Sequence, residues 1–210
     1  MLWRETGHAD ARVVRAGDIA YLAIAASARG TPRARFSIAH ELGHHLLHRD
    51  VDAIERIHGR PRTAGREFRV EREADRFAVE LLAPVALFAP RCSSPRPTFD
   101  DVALLARAFD LSFTVSARRW AELAPAACAF VESKSGVIAR VTRSRSFRGV
   151  AVQRRPLEGR SMASEALRCG PAAGRLTVRG DAWGSGGDVE VIEESMAAGD
   201  GRVLTWLSHD

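Results

Sequence analysis

Between Arg35 and His48 the sequence carries two patterns in one register. Phe36, Ile38, Ala39, Leu42, Leu46 and Leu47 recur at helical spacing, as a helix with an apolar stripe requires. The same run contains His40-Glu41-Leu42-Gly43-His44. Residues four apart on a helix sit one turn apart on one face, so this segment presents two imidazoles side by side. The combination confines it to a helix set into a core, with its histidines along a shared edge. Two such imidazoles can grip one Zn2+. Glu41 lies one residue round from His40, on the flank of that face, where it reaches a water held by the metal rather than the metal itself. Zinc lowers the pKa of such a water to about 7, and a carboxylate can take its proton and hand it on. This is the physical reason for the H-E-x-x-H pattern in metal-dependent peptidases. Gly43 has no side chain and lets another backbone or a substrate strand come close.

A catalytic zinc site needs a third protein ligand and leaves the fourth position to water. A second helix is expected from about Arg66 to Leu82, with Phe68, Ala74, Phe77, Ala78, Leu81 and Leu82 as its apolar set and Pro84 as its stop. It offers Glu71, Glu73 and Asp75. Glu71 and Asp75 are four apart and share a face, and Glu73 points elsewhere. That face supplies one carboxylate, Glu71, for the metal. It supplies another, Asp75, to accept the far ring N–H of a ligand histidine and fix its tautomer. Glu67, four residues before Glu71, is the rival ligand, and an ion pair between Glu71 and an arginine is the plain alternative. Ala74 is small enough for close helix packing. His45 points away from the His40/His44 face, and His48 lies one further turn along it. Both read most simply as solvated or half-buried histidines. His58 sits in the polar stretch 50–65 and is a weaker candidate for stabilising an oxyanion. Tyr21, the only tyrosine, belongs to the strand-like segment Asp18–Ser27 and reads as core.

The remaining 120 or so residues change character twice. Pro90–Pro97 is linker-like, and Thr98-x-x-Asp101 marks a helix start. Asp101–Phe109 and Thr114–Leu123 then read as a short helical pair with helix-turn-helix spacing. It has five arginines against four acids across 91–130, fewer cationic and amide groups than a recognition helix needs, so structural packing is the preferred reading. From Ala129 onward strands dominate: Val131–Val141, Phe147–Gln153, Leu176–Arg179, Val189–Glu193 and Val203–Leu207. Glu165–Leu167 belongs to a short helix, and Gly199-Asp200-Gly201 makes a hairpin turn. Trp183–Gly187 reads as a flexible glycine-rich turn.

Of the 31 basic residues only Lys134 is a lysine, and the net charge is +5. The excess is spread thinly. It concentrates only at Arg140–Arg160, with seven arginines and one acid, where Phe147 alone could stack on a base. A solvated strand face is the preferred reading there, and direct nucleic-acid binding is not favoured. Cys92, Cys128 and Cys169 are far apart and odd in number, as for buried free thiols in a reducing compartment. The start of the chain lacks the apolar core of a secretion signal. The apolar runs Ile19–Ala26 and Leu81–Ala89 are too short to span a bilayer. A cytoplasmic protein without membrane contact is expected, and the oligomeric state is left open.

Phe36-Ser-Ile-Ala-His-Glu-Leu-Gly-His-His-Leu-Leu-His48 followed by Glu71-Arg-Glu-Ala-Asp-Arg-Phe-Ala-Val-Glu-Leu-Leu-Ala-Pro84 resembles the ImmA/IrrE family of zinc metallo-endopeptidases. The likeness covers 19–90 strongly and 91–125 more weakly, and Val191–Ser195 with Val203–Leu207 resembles the end of some members. It implies a gluzincin-like site, with His40, His44 and Glu71 on zinc, Glu41 as base and Asp75 behind a ligand histidine. Many relatives have Asn where this chain has Asp75, and either can accept the N–H. Relatives commonly place helices ahead of the first strand, for which there is little room before Asp18. The expected fold class is α+β, in three parts. Residues 1–90 form a catalytic domain of a small sheet, the H-E-x-x-H helix and the Glu-ligand helix. Residues 91–128 form the helical pair, and 129–210 a mostly β, sensor-like region. The implied function is a zinc-dependent endopeptidase whose substrate is a helix-turn-helix transcriptional repressor, in the control of mobile elements, toxin–antitoxin systems or stress responses. The alternative is a non-proteolytic regulator that holds a repressor or DNA with the same fold.

Overall fold

A computed structural model describes residues 2–4, 11–16, 19–48, 65–147, 155–159, 161–170, 174–183 and 189–208. The architecture is α+β, and the chain forms two compact units, Met1–Val85 with Arg107–Ser112, and Ala86–Ala106 with Phe113–Asp210.

In the first unit, strands β1 (Leu2–Arg4), β2 (Ala11–Ala16) and β3 (Ile19–Ala25) form a sheet in the order β1-β3-β2. β1 runs parallel to β3 and β2 antiparallel to it. The described residues before Asp18 are thus the strands β1 and β2. Tyr21 is 46% exposed, against the expectation that it is core. Side chains alternate along a strand, and Leu22 and Ile24 take the inward parity, with Ile24 fully buried beside Ala28, Ala34 and Ile38. Helix α1 (Pro32–Leu47) follows a single 3-10 turn. Thr31 caps it, accepting a hydrogen bond from Ala34 N at 3.1 Å, and Pro32 occupies the first turn, where its missing N–H costs nothing. Arg35 ties α1 to the 107–112 segment of the same unit through Asp110 Oδ2 at 2.7 Å and the Phe109 and Asp110 carbonyls.

Helix α2 (Gly65–Leu82) packs along α1, and the close approach falls on small residues. Ala39 and Gly43 on α1, and Ala74 and Ala78 on α2, are all buried. A Cβ at Gly43 would stand 3.2 Å from Ala74 Cα and 3.1 Å from Phe77 Cδ1. The body that comes close to this glycine is therefore α2. Leu42, Leu46, Leu47 and Leu81, counted in the apolar stripes, are exposed.

The second unit holds a five-stranded antiparallel sheet in the order β5-β4-β8-β7-β6, with β4 (Cys128–Lys134), β5 (Val137–Arg143), β6 (Gly174–Arg179), β7 (Glu190–Ala197) and β8 (Arg202–Ser208). The single strand expected over 131–141 is instead the β4–β5 hairpin. Ser135 and Gly136 take positive φ of 50° and 78°, the geometry of a tight hairpin turn. Gly199-Asp200-Gly201 turns β7 into β8 in the same way. Short helix α3 (Val85–Phe88) precedes α4 (Phe99–Phe109) and α5 (Phe113–Leu123). Thr98 and Asp101 exchange capping hydrogen bonds at the start of α4. α5 lies on the sheet: Arg118 grips Glu132 with two 2.7 Å hydrogen bonds, and Trp120 meets Trp206 edge to face.

On the opposite sheet face, α6 (Met162–Cys169) covers Ala129, Val131, Val191, Val203 and Leu207. Glu193 lies fully buried there at 0% exposure. It accepts from Ala163 N at 2.7 Å, Trp183 Nε1 at 3.0 Å and Ser195 Oγ at 2.9 Å. Burial pushes its carboxyl pKa up. Trp183 is therefore core rather than part of a flexible turn, and 184–188 lie outside the described residues. Cys92 and Cys128 are buried, which pushes both thiols up to about 12, whereas Cys169, expected to be buried, is exposed at the end of α6. Arg140, Arg143 and Arg145 are exposed, and Arg155 pairs with Glu158 at 2.8 Å. Arg148, Arg154 and Arg160 lie outside the described residues. Among the described residues no helix is long and apolar enough to cross a membrane.

Gly43→Val is expected to cost the first unit about 2 kcal/mol in urea denaturation, because the added side chain is driven against the Ala74 backbone and the Phe77 side chain at a contact with no spare room. Glu193→Ala is expected to cost the second unit at least about 2 kcal/mol by the same measurement, since three buried donors lose their acceptor.

Candidate metal centre

The α1–α2 contact brings three side chains to one point. His40, His44 and Glu71 each offer a donor atom, and these atoms all lie within 4.8 Å of one another. His40 Nε2 and His44 Nε2 face each other at 2.9 Å. Glu71 Oε2 is 3.5 Å from His40 Nε2, and Glu71 Oε1 is 3.3 Å from His44 Nε2. His44 is 1% exposed and Glu41 3% exposed. Asp75 reaches back to the same cluster, with Oδ1 2.9 Å from His40 Nδ1.

Electrostatics follow from this crowding. Burial disfavours a charged His40 ring, but hydrogen bonds to Asp75 and Glu71 and their negative charge outweigh it, and its pKa rises from 6.5 to about 9. The His40 imidazole, then that of His44, holds Glu71 well below the usual carboxylate range. In the metal-free chain the cluster thus holds a proton between imidazoles and carboxylates. The residues fit a cation larger than that proton. Glu71 Oε1 is buried and receives no hydrogen bond of good geometry, and two imidazole nitrogens plus one carboxylate oxygen make a donor set suited to a divalent transition metal.

The other sequence candidates fall out differently. His45 is half-buried and outside the donor group. The side chain of Glu67 and all of His58 lie outside the described residues. His48 and Glu73, which sequence reasoning set aside, touch the cluster. His48 Nδ1 lies 3.3 Å from His44 Nδ1, and His48 Nε2 lies 2.9 Å from Glu73 Oε2. The available signal was the third histidine of the i, i+4, i+8 series His40, His44, His48.

A centre of two histidines from one helix and a glutamate from the next is the arrangement of a metal-dependent peptidase. The family model of the M78 peptidases, described as the IrrE N-terminal-like domain, matches residues 6–121, and the chain belongs to that family. No curated protein matches it. Among solved structures, a Mycobacterium tuberculosis transcriptional regulator has the same fold with a TM-score of 0.64 at 16% identity, covering 99% of this chain. The chain spans 65% of the length of that regulator.

Metal must displace the His40 proton. Because the folded pKa is raised, that proton's contribution to the stability of the metal-free chain is complete below pH 6.5 and lost as pH rises through about 9. Loading a divalent ion at pH 7–8 is therefore expected to release about one proton, read by calorimetry in buffers of different ionisation enthalpy. Metal uptake with no buffer dependence contradicts this.

Proposed function

We propose that this chain is a zinc-dependent endopeptidase. The convergence of His40, His44 and Glu71 within 4.8 Å carries the reading, and membership of the M78 peptidase family supports it. His40, His44 and Glu71 would hold the ion, which when bound would supply a Lewis acid for the scissile carbonyl and for the attacking water. Glu41, on the flank of the same helix face, would serve as the general base toward the attacking water and as the general acid toward the leaving amide nitrogen. Asp75 accepts the Nδ1–H of His40, so that Nε2 keeps its lone pair for the metal.

The substrate in this reading is a DNA-binding repressor of the helix-turn-helix type, and cleavage relieves repression in the cytoplasm. The family resemblance supports that target, as does a structural neighbour titled a transcriptional regulator. That title also favours a second reading, a regulator that binds a repressor or DNA without hydrolysis. The burial of the second helix of the pair against its own sheet weighs against DNA recognition through that helix. DNA binding with a steep salt slope, indifferent to chelator, supports the second reading.

Glu41→Gln is expected to keep about one zinc per chain and to lose repressor cleavage by at least about a hundredfold, whereas His44→Ala loses the zinc as well. The check is metal content by mass spectrometry beside a gel assay of any helix-turn-helix repressor encoded beside this chain. Normal cleavage by Glu41→Gln rules the mechanism out.

A further inference from the structure

The two imidazoles of the centre are backed in different ways. His40 Nδ1 meets a carboxylate directly, Asp75 Oδ1 at 2.9 Å. His44 Nδ1 meets another imidazole, His48 Nδ1 at 3.3 Å, and His48 Nε2 in turn meets Glu73 Oε2 at 2.9 Å. With His48 neutral, one arrangement of protons satisfies the second chain. An ionised carboxylate accepts, so His48 Nε2 carries a hydrogen and donates it to Glu73. In a neutral ring Nδ1 is then a lone pair, and it accepts the Nδ1–H of His44. His44 Nε2 is left bare, aimed at His40 Nε2 and Glu71.

We propose that His48, oriented by Glu73, is a positioning residue that fixes the tautomer and ring orientation of His44, making Glu73–His48–His44 a longer counterpart of Asp75–His40. This rests on the metal reading of the centre. The anchoring is built from both ends. His48 caps the C-terminus of α1, its own N–H bonded to the His44 carbonyl at 3.0 Å, which sets its ring over the preceding turn. Glu73 projects from α2 two residues from Glu71 and is approached by Arg69 Nε at 4.0 Å. The helix that brings the third ligand thus also brings the acceptor that orients the second. A bridging imidazole spans a gap that a carboxylate on α2 closes unaided only at His40.

The test uses the full chain and Zn2+ in competition with a chromophoric chelator, together with the nitrogen–proton spectrum of 15N-labelled imidazoles. His48→Ala is expected to bind zinc 10–100-fold more weakly, the usual effect of losing a hydrogen-bond partner behind a ligand histidine, and to shift the His44 Nδ1–H signal. His48→Gln is expected to restore most of the affinity, because its amide oxygen accepts from His44 and its NH2 donates to Glu73. Glu73→Ala, a change at a half-exposed residue that leaves folding intact, is expected to weaken zinc binding several-fold. Wild-type affinity in His48→Ala with an unmoved His44 signal overturns the proposal. So does equal weakening by His48→Ala and His48→Gln. If His48→Ala does not fold, unchanged affinity in Glu73→Ala overturns it. A wild-type chain that binds no zinc overturns the metal reading and this proposal with it, whereas wild-type binding with unaffected variants overturns this proposal alone.

Discussion

The close approach of α1 to α2 at Gly43 is the constraint on which the first unit depends. With Ala74 Cα 3.2 Å from where a Cβ would stand, the two helix backbones are nearer than ordinary side chains permit. At that separation carboxylates on α2 meet imidazoles on α1 directly, Glu71 beside His40 and His44 and Asp75 against His40. Ala39, Ala74 and Ala78 serve the same end, and the larger apolar residues of both helices are left toward their edges, where Leu42, Leu46, Leu47 and Leu81 are exposed.

The second unit is held by a different device. Its sheet is covered on both faces, and each cover is fastened by a carboxylate as well as by apolar packing. Glu132 on β4 holds Arg118 of α5 with two hydrogen bonds. Glu193 on β7 gathers the start of α6, the indole of Trp183 and Ser195. Unpaired, either acid would be costly in such surroundings. Satisfied, each fixes which helix lies on which face.

Much of the first unit was legible because helical periodicity and metal-ligand spacing speak at the same positions. His40, His44, Glu71 and Asp75 all lie at i, i+4 intervals, and a helix converts that interval into a shared face. What escaped did so where sequence separation gives no geometric rule. Glu73 is out of phase with Glu71 on its own helix and looked irrelevant, yet the edge it occupies lies beside the end of α1, where His48 reaches it. Tyr21 faces outward although its strand is apolar at both parities, a pattern in which alternation does not say which face is inward. The run 131–141 looked like one strand because Ser135-Gly136 is a weak turn signal beside Asn-Gly or Asp-Gly. Glu193 was invisible as a structural centre, because a buried acid in a strand is identified by its partners, and these come from residues 163, 183 and 195.

Gly43 has one more consequence. A glycine inside a helix costs roughly 0.5–1 kcal/mol relative to alanine, because it loses the most backbone freedom on ordering. The segment that carries both imidazoles is therefore a poorer helix in isolation than its neighbours would make it, and isolated helices of this length are marginal in any case. Its order is secured by docking against α2 and against strands β2 and β3. Since α2 also brings Glu71, the contact that orders the nitrogen donors is the one that delivers the oxygen donor to them.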